Sequence, residues 1–199
     1  NGGIVVTDKT LTNVEEYPFE GRFHMVEKFT PLEGHGSEFL IAVDIEDDNL
    51  YQISLDENDA IKFFHSLFTF PKFHSKHNYE YEDATHPRHF VQIPNTNKIV
   101  VLTETYNVWL CLLEYDHAHN KFNHVSKFDL QQLVEIDGGL AGGEIAYVDG
   151  KIYVSIRTYN GNIDDVGNPG SAHGLLAEFT LTGNQTKIQH ENSVTVEKG

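Results

Sequence analysis

The chain is predicted to be all-β, a β-propeller built from four-stranded antiparallel blades, and three observations carry that expectation. Short runs rich in Val, Ile, Tyr, Phe and Leu alternate with turn clusters such as PNTN, DEND, DHAHN, VDGK and TGNQ. These are the residues of strands and of the turns that join them. The pattern also repeats in register, with a period of roughly 50 residues, as propeller blades do. A β-sandwich explains short strands but not a repeat in register. Finally, no stretch keeps a helical period. DLQQLVEI from Asp129 predicts one short helical turn at most.

Taken in order, residues 1–20 read as the last two strands of a unit, GGIVVT and VEEYPF. The first complete blade spans about residues 23–73, with FHMVEKF as its first strand and EFLIAVD as its second. The next spans about 86–130, with RHFVQIP and then NKIVVLTE. The last spans about 142–199, with GEIAYVD, GKIYVSIR and, after a long insertion from Thr158 to His173, GLLAEFTLT. Three and a half blades do not close a ring, and an open propeller leaves sheet faces and edges bare. The expectation is one partial propeller domain over 1–199, partnered by the remaining blades of the same propeller.

Composition narrows the function. With 30 acidic against 14 basic residues, the formal charge is −16, which argues against nucleic acid as a partner. An anionic small molecule remains compatible with a few converging Arg. No apolar run approaches the roughly 18 residues that a spanning helix needs, so no membrane insertion is expected. The single cysteine, Cys111, lies in an apolar strand and forms no internal disulfide. It points to a reducing compartment, the cytoplasm or an organelle such as the mitochondrion. The sequence begins at Asn1 without Met, which is compatible with a processed leader.

The charges fall at particular repeat positions. Asp44, Glu104 and Arg157 each end a second strand, in LIAVD, VVLTE and YVSIR. Equivalent positions on successive blades surround the propeller axis, so these three are expected to face one channel mouth. Arg88 opens a first strand, and His24 lies in the corresponding strand of the preceding blade. First strands line the channel. One His, two Arg and two acids are thus expected to converge from distant parts of the chain. A single charge at a strand end is usually solvated, and a Glu–Arg pair there is often a structural bridge of small value. The joint placement is what favours a site.

At these residues the chain resembles the seven-bladed lactonase propellers, which include the bacterial-type 6-phosphogluconolactonases and the carboxy-cis,cis-muconate cyclases. The resemblance rests on HPRHFVQIPNTNKIVVLTE, on GGEIAYVDGKIYVSIR and on AVDIEDDNLYQISLD, in that order, and runs from about Gly2 to Gly199. It implies about half of a seven-bladed ring. It implies catalytic roles for His24, Arg88, Glu104 and Arg157, with Arg88, Arg157, His89 and Asp44 holding substrate. Departures from the family pattern are Thr103 and Ile156, where Asn is usual before the Glu and the Arg, and DIEDD, which lacks the usual Gly. His24 matches the family histidine only if LEGHGSE is an inserted loop, and His35 is its rival.

The resemblance and the residues imply hydrolysis of a sugar lactone, with 6-phosphogluconolactone the expected substrate. The reaction needs an activated water, a stabiliser for the developing oxyanion and an anchor for an anionic group. The planar fork of Arg suits the last two. Two neighbouring Arg favour the charged form of Glu104, which suits it poorly as an acid. His24 titrates nearer neutrality and is able to shuttle the proton. A muconate-type cyclase would use the same residues, with Arg holding carboxylates. A non-catalytic propeller serving as scaffold or assembly subunit is the alternative of another class, and Thr103, Ile156 and DIEDD speak for it.

Other signals are weaker. His74 with His77, and His86 with His89, make two H-x-x-H pairs, but they sit in a polar connection. NIDDVGN from Asn162 lacks the ligand spacing of a calcium loop. NQT at Asn184 matches a glycosylation triplet. The chain has no phosphate-cradling Gly loop, Cys-metal pattern or Ser nucleophile elbow. No cofactor and no metal is expected.

Overall fold

The computed structural model describes residues 2–7, 14–19, 22–55, 61–71, 85–104, 108–134, 139–159 and 173–196. His74, His77, the loop from Asn162 and most of the insertion before His173 lie outside the described residues. The described chain is all-β, with a single 3₁₀ turn, Leu130–Leu133, where DLQQLVEI predicts one. Asp129 caps that turn through its carboxylate, which accepts the Gln131 N–H at 3.0 Å.

Strands β1 (Gly2–Thr7) and β2 (Val14–Phe19) pair antiparallel as a two-stranded sheet. Three four-stranded sheets follow. The first holds β3 (Phe23–Phe29), β4 (Phe39–Asp44), β5 (Asn49–Leu55) and β6 (Ile61–Thr69). The second holds β7 (Pro87–Gln92), β8 (Lys98–Thr103), β9 (Trp109–Asp116) and β10 (Lys121–Asp129). The third holds β11 (Gly139–Val148), β12 (Lys151–Tyr159), β13 (His173–Thr182) and β14 (Lys187–Val196). In each, spatial order follows chain order and every pair is antiparallel. Phe39, Lys98 and Lys151 therefore open equivalent second strands. The first strands β3, β7 and β11 lie side by side, and so do the outer strands β6, β10 and β14. That is the radial stacking of propeller blades.

Packing between blades explains the strand sequences. The middle blade is covered on both faces, so its strands read as continuous apolar runs, KIVVL and WLCLL. Alternate side chains go opposite ways. Val100, Leu102, Leu110 and Leu112 pack with Ile152, Val154 and Ile156 of the third blade. Ile99, Val101, Cys111 and Leu113 pack with Phe29, Ile41 and Val43 of the first. Burial pushes the Cys111 thiol up to about 12, which makes it a packing residue rather than a nucleophile. The tight β11–β12 turn is made by Asp149 (φ 49°) and Gly150 (φ 85°), both left-handed, as a two-residue hairpin turn requires.

Phe29 is fully buried and joins the first two blades, with its ring 5.2 Å from Phe39 and 5.4 Å from both Tyr115 and Phe122. Phe29→Ala is expected to cost about 3–5 kcal/mol, read as a lower urea midpoint. Val26→Ala on the same strand, where the side chain is exposed, is expected to stay within about 0.5 kcal/mol of the parent. Equal effects would contradict this packing.

Candidate functional site

The inner strands are all interrupted at the same level. Pairing slips between Phe23 and Met25, between Pro87 and His89, and between Gly142 and Ile145. A β-bulge leaves a residue without a partner across the ladder and re-aims its side chain. The bulged residues are His24, Arg88 and the pair Gly143–Glu144. In β11 the bulge is held by Ser155, whose hydroxyl accepts the Glu144 N–H at 2.8 Å. A Cβ on Gly143 would lie 2.5 Å from that oxygen, so the bulge needs a glycine there.

Glu104 follows β8 and is held by two blades. Its N–H donates to His86 O at 2.8 Å, and its C=O accepts the Gly142 N–H at 2.8 Å. Arg88 Nη1 donates to Glu104 Oε1. Arg157 Nη2 donates to that same oxygen at 2.7 Å and to Gly142 O at 3.0 Å. The Arg88 and Glu104 side chains are each 17% exposed, which puts their pairing beyond the surface bridges that contribute little. Arg157 is more open, at 41%. One carboxylate balances only one of two guanidinium charges. Both Nε atoms are buried without a hydrogen-bond partner.

The histidines form the other half of the cluster. The rings of His24 and His89 meet edge to face, with centroids 4.7 Å apart. His89 Nδ1 lies 2.8 Å from Glu144 Oε2. The carboxylate sits off the line of the ring N–H, so the contact is electrostatic rather than a closed hydrogen bond. Burial holds His24 below the usual 6.5, helped by Arg88 and His89 and opposed by Glu104 and Glu144. Burial also holds His89 below that value, opposed chiefly by Glu144 and helped by Arg88.

Asp44 does not join them. The Ile45 N–H donates to Arg22 O at 3.0 Å, as the Glu104 N–H donates to His86 O. The repeat equivalent of Glu104 and Arg157 is therefore Ile45, and Asp44 is one residue out of step. A one-residue offset turns a strand side chain to the opposite face. Asp44 is fully buried, and its Oδ1 accepts the N–H groups of Arg22, Glu46 and Asp47 at 3.0–3.2 Å. It builds a turn. Ile156 and Thr103 likewise face away from the charges. Ile156 packs in the core, and the fully buried Thr103 hydroxyl accepts the Trp109 N–H at 2.7 Å. His35 stacks on His117 with centroids 4.5 Å apart and bonds to Asn97, in a separate cluster.

Two contributors escape the sequence reading. Glu144 was hidden because its aim depends on the bulge. Asp48, almost fully buried in the β4–β5 turn, accepts the Thr85 N–H at 2.9 Å and the His86 N–H at 2.6 Å. It thereby fixes His86 at φ 47° just before Pro87, and so sets the start of the strand that carries Arg88. Further along the inner strands lies a groove of about 340 Å³, lined by Glu27, Lys28, Phe90, Val91, Gln92, Pro94 and Tyr147. None of these belongs to the charged cluster. Among the described residues, no group of three or more His, Cys, Asp or Glu is arranged to hold a metal. No helix among them is long and apolar enough to cross a membrane.

No family model and no curated protein matches the sequence. Solved structures do match. A protein from Lactobacillus plantarum superposes with a TM-score of 0.62 at 15% identity, over 96% of this chain and 50% of that one. A periplasmic gluconolactonase from Pseudomonas aeruginosa superposes with a TM-score of 0.53 at 12% identity, over 98% of this chain and 63% of that one. The likeness establishes a shared fold. The chain spans between half and two thirds of the length of these relatives.

A Cβ on Gly142 would lie 2.2 Å from Thr103 O and 2.9 Å from Leu102 Cγ. Backbone cannot yield as a flexible side chain would. Gly142→Ala is expected to destabilise by about 1–3 kcal/mol or more and to pull Glu104 away from Arg157. At Gly174 the nearest atom to an added Cβ is 3.5 Å away, so Gly174→Ala serves as the near-neutral control in the same thermal melts. A Gly142→Ala melt matching that control would refute the close approach of the blades.

Proposed function

We propose that the full-length protein hydrolyses a sugar lactone at the end of the inner strands where Glu104 meets Arg88 and Arg157. The observation that carries this reading is the sharing of one carboxylate oxygen by two guanidiniums, beside a pair of histidines. The guanidinium N–H donors gathered at that oxygen suit an oxyanion that develops on the lactone carbonyl. The histidines are biased toward their neutral forms, as a base that takes a proton from water must be. The periplasmic gluconolactonase of the same fold supports a sugar lactone as the substrate class. The finer proposal is 6-phosphogluconolactone, whose phosphate an Arg fork would hold.

Two other readings use the same residues. A muconate-type cyclase would hold substrate carboxylates on Arg88 and Arg157. A non-catalytic scaffold is the alternative of another class; of the departures that speak for it, Thr103 and Ile156 face the core rather than the charges, and DIEDD still stands. His24, Arg88, Glu104 and Arg157 are proposed as catalytic residues, Arg88 and Arg157 also hold substrate, and His89 meets the substrate beside them. The remaining blades are the proposed partners. A cytoplasmic location remains a proposal, as does the absence of a cofactor.

Proton release from glucono-1,5-lactone and from 6-phosphogluconolactone, with full-length protein, tests the reading. Arg157→Ala and Glu104→Gln are each expected to lower kcat by roughly 100-fold or more. Activity unchanged in both removes the site, and muconate cyclisation without lactone hydrolysis favours the cyclase. The pH dependence has a definite sign. The catalytic histidine works neutral and its pKa lies below the usual 6.5, so kcat/KM should hold near pH 7 and fall only as pH drops below 6.5. A fall that sets in above pH 7 would contradict a histidine base held in this environment.

A further inference from the structure

We propose that His89 is the base of this site and that Glu144 is its positioning residue; this rests on the lactone reading above. Glu104 is badly placed for the task. Its Oε1 already receives Arg88 and Arg157, and its backbone is fixed at both N–H and C=O. A group held in that way anchors the arginines and has little freedom to collect a proton from water. His89 is different. Its side chain is only 13% exposed, and it is faced by Glu144 from β11, by His24 from β3, by Arg88 on its own strand and by Glu104 after β8. Of these, Glu144 is the carboxylate at 2.8 Å from a ring nitrogen.

The local backbone supports this assignment. Glu144 reaches His89 because β11 bulges at Gly143–Glu144. The bulge in turn depends on a missing Cβ at Gly143 and on the Ser155 hydroxyl that accepts the Glu144 N–H. A carboxylate beside Nδ1 favours the tautomer that carries its proton there, which leaves the Nε2 lone pair as the base. The Glu144 side chain is 71% exposed. It therefore turns readily onto the N–H line once water is expelled by substrate.

The chemical step balances without a co-reactant. His89 Nε2 takes a proton as the water oxygen bonds to the lactone carbonyl carbon. The carbonyl oxygen becomes an oxyanion beside the guanidiniums. Collapse of that intermediate breaks the bond from the carbonyl carbon to the ring oxygen. The His89 proton passes to that leaving oxygen, giving the open hydroxy acid, which ionises in solution.

The test combines two readouts on the full-length protein: the titration of each histidine ring by NMR, and the pH profile of lactone hydrolysis. Glu144→Gln removes the charge that raises the His89 pKa. Its titration should move to lower pH, the acid limb of kcat/KM should move with it, and kcat should fall with little change in KM. Glu144→Asp should restore part of both, and His89→Asn should lower kcat by roughly 100-fold or more. A His89 titration unmoved by Glu144→Gln overturns the pairing whatever the activity, because an exposed bridge of no consequence would behave that way. An acid limb that stays put while the titration moves makes another group the base. A titration that moves in a protein with no activity on either lactone retires the lactone reading and leaves the Glu144–His89 pairing standing.

Discussion

The arrangement at one end of the inner strands depends on how closely the third blade approaches residue 104. Gly142 lies so near the backbone of Thr103 that a methyl group there would reach within 2.2 Å of its carbonyl oxygen. That approach permits the Gly142 N–H to bond to Glu104 O, and it brings Arg157 to the Glu104 carboxylate. Arg88 arrives from β7 of the same blade, on a strand whose start is fixed by Asp48. Residues of the second and third blades thus hold one glutamate, and Asp48 of the first blade fixes the strand that brings Arg88. A shift of the third blade against the second would separate Arg157 from Glu104, which links the packing of the apolar faces directly to the geometry of the polar cluster.

The charged groups divide by how firmly they are held. Arg88 and Glu104 form a shielded pair that the more open Arg157 joins on the same oxygen, and breaking the pair leaves uncompensated charge. His24, His89 and Glu144 are looser, joined by a ring contact and one electrostatic approach. The proposed hydrolysis would benefit from this division. Stabilising charge must already be in place when the oxyanion forms, whereas the group that carries the proton must exchange it within each turnover. Burial keeps both histidines biased toward the neutral form that the second task needs.

Much of the fold was legible because the repeat is written twice, in apolar runs and in turn residues. KIVVL and WLCLL announce a blade covered on both faces, and Phe39, Lys98 and Lys151 mark the register. The convergence of Arg88, Glu104 and Arg157 followed from that register. Asp44 failed for a physical reason: the second strands LIAVD and VVLTE align by hydropathy with an error of one residue, and one residue reverses the face. The backbone bond from Ile45 to Arg22 corrects the alignment. Glu144 was illegible because a bulge sets its direction, and Gly-Gly before Glu signals a bulge without saying where the side chain goes. Asp48 gave no signal of its role in the sequence, because the anchor it makes to the next blade depends on tertiary contact with Thr85 and His86.

The central claim is that the cluster around Glu104, rather than the groove beside Phe90 and Tyr147, receives the lactone. Binding of a non-hydrolysable gluconolactam to the full-length protein, followed through the His24 and His89 ring signals by NMR, tests this most directly. The account predicts that both rings respond on binding and that Arg88→Ala abolishes the response. Saturable binding that leaves both histidines unmoved, and instead perturbs Phe90 and Tyr147, would contradict it.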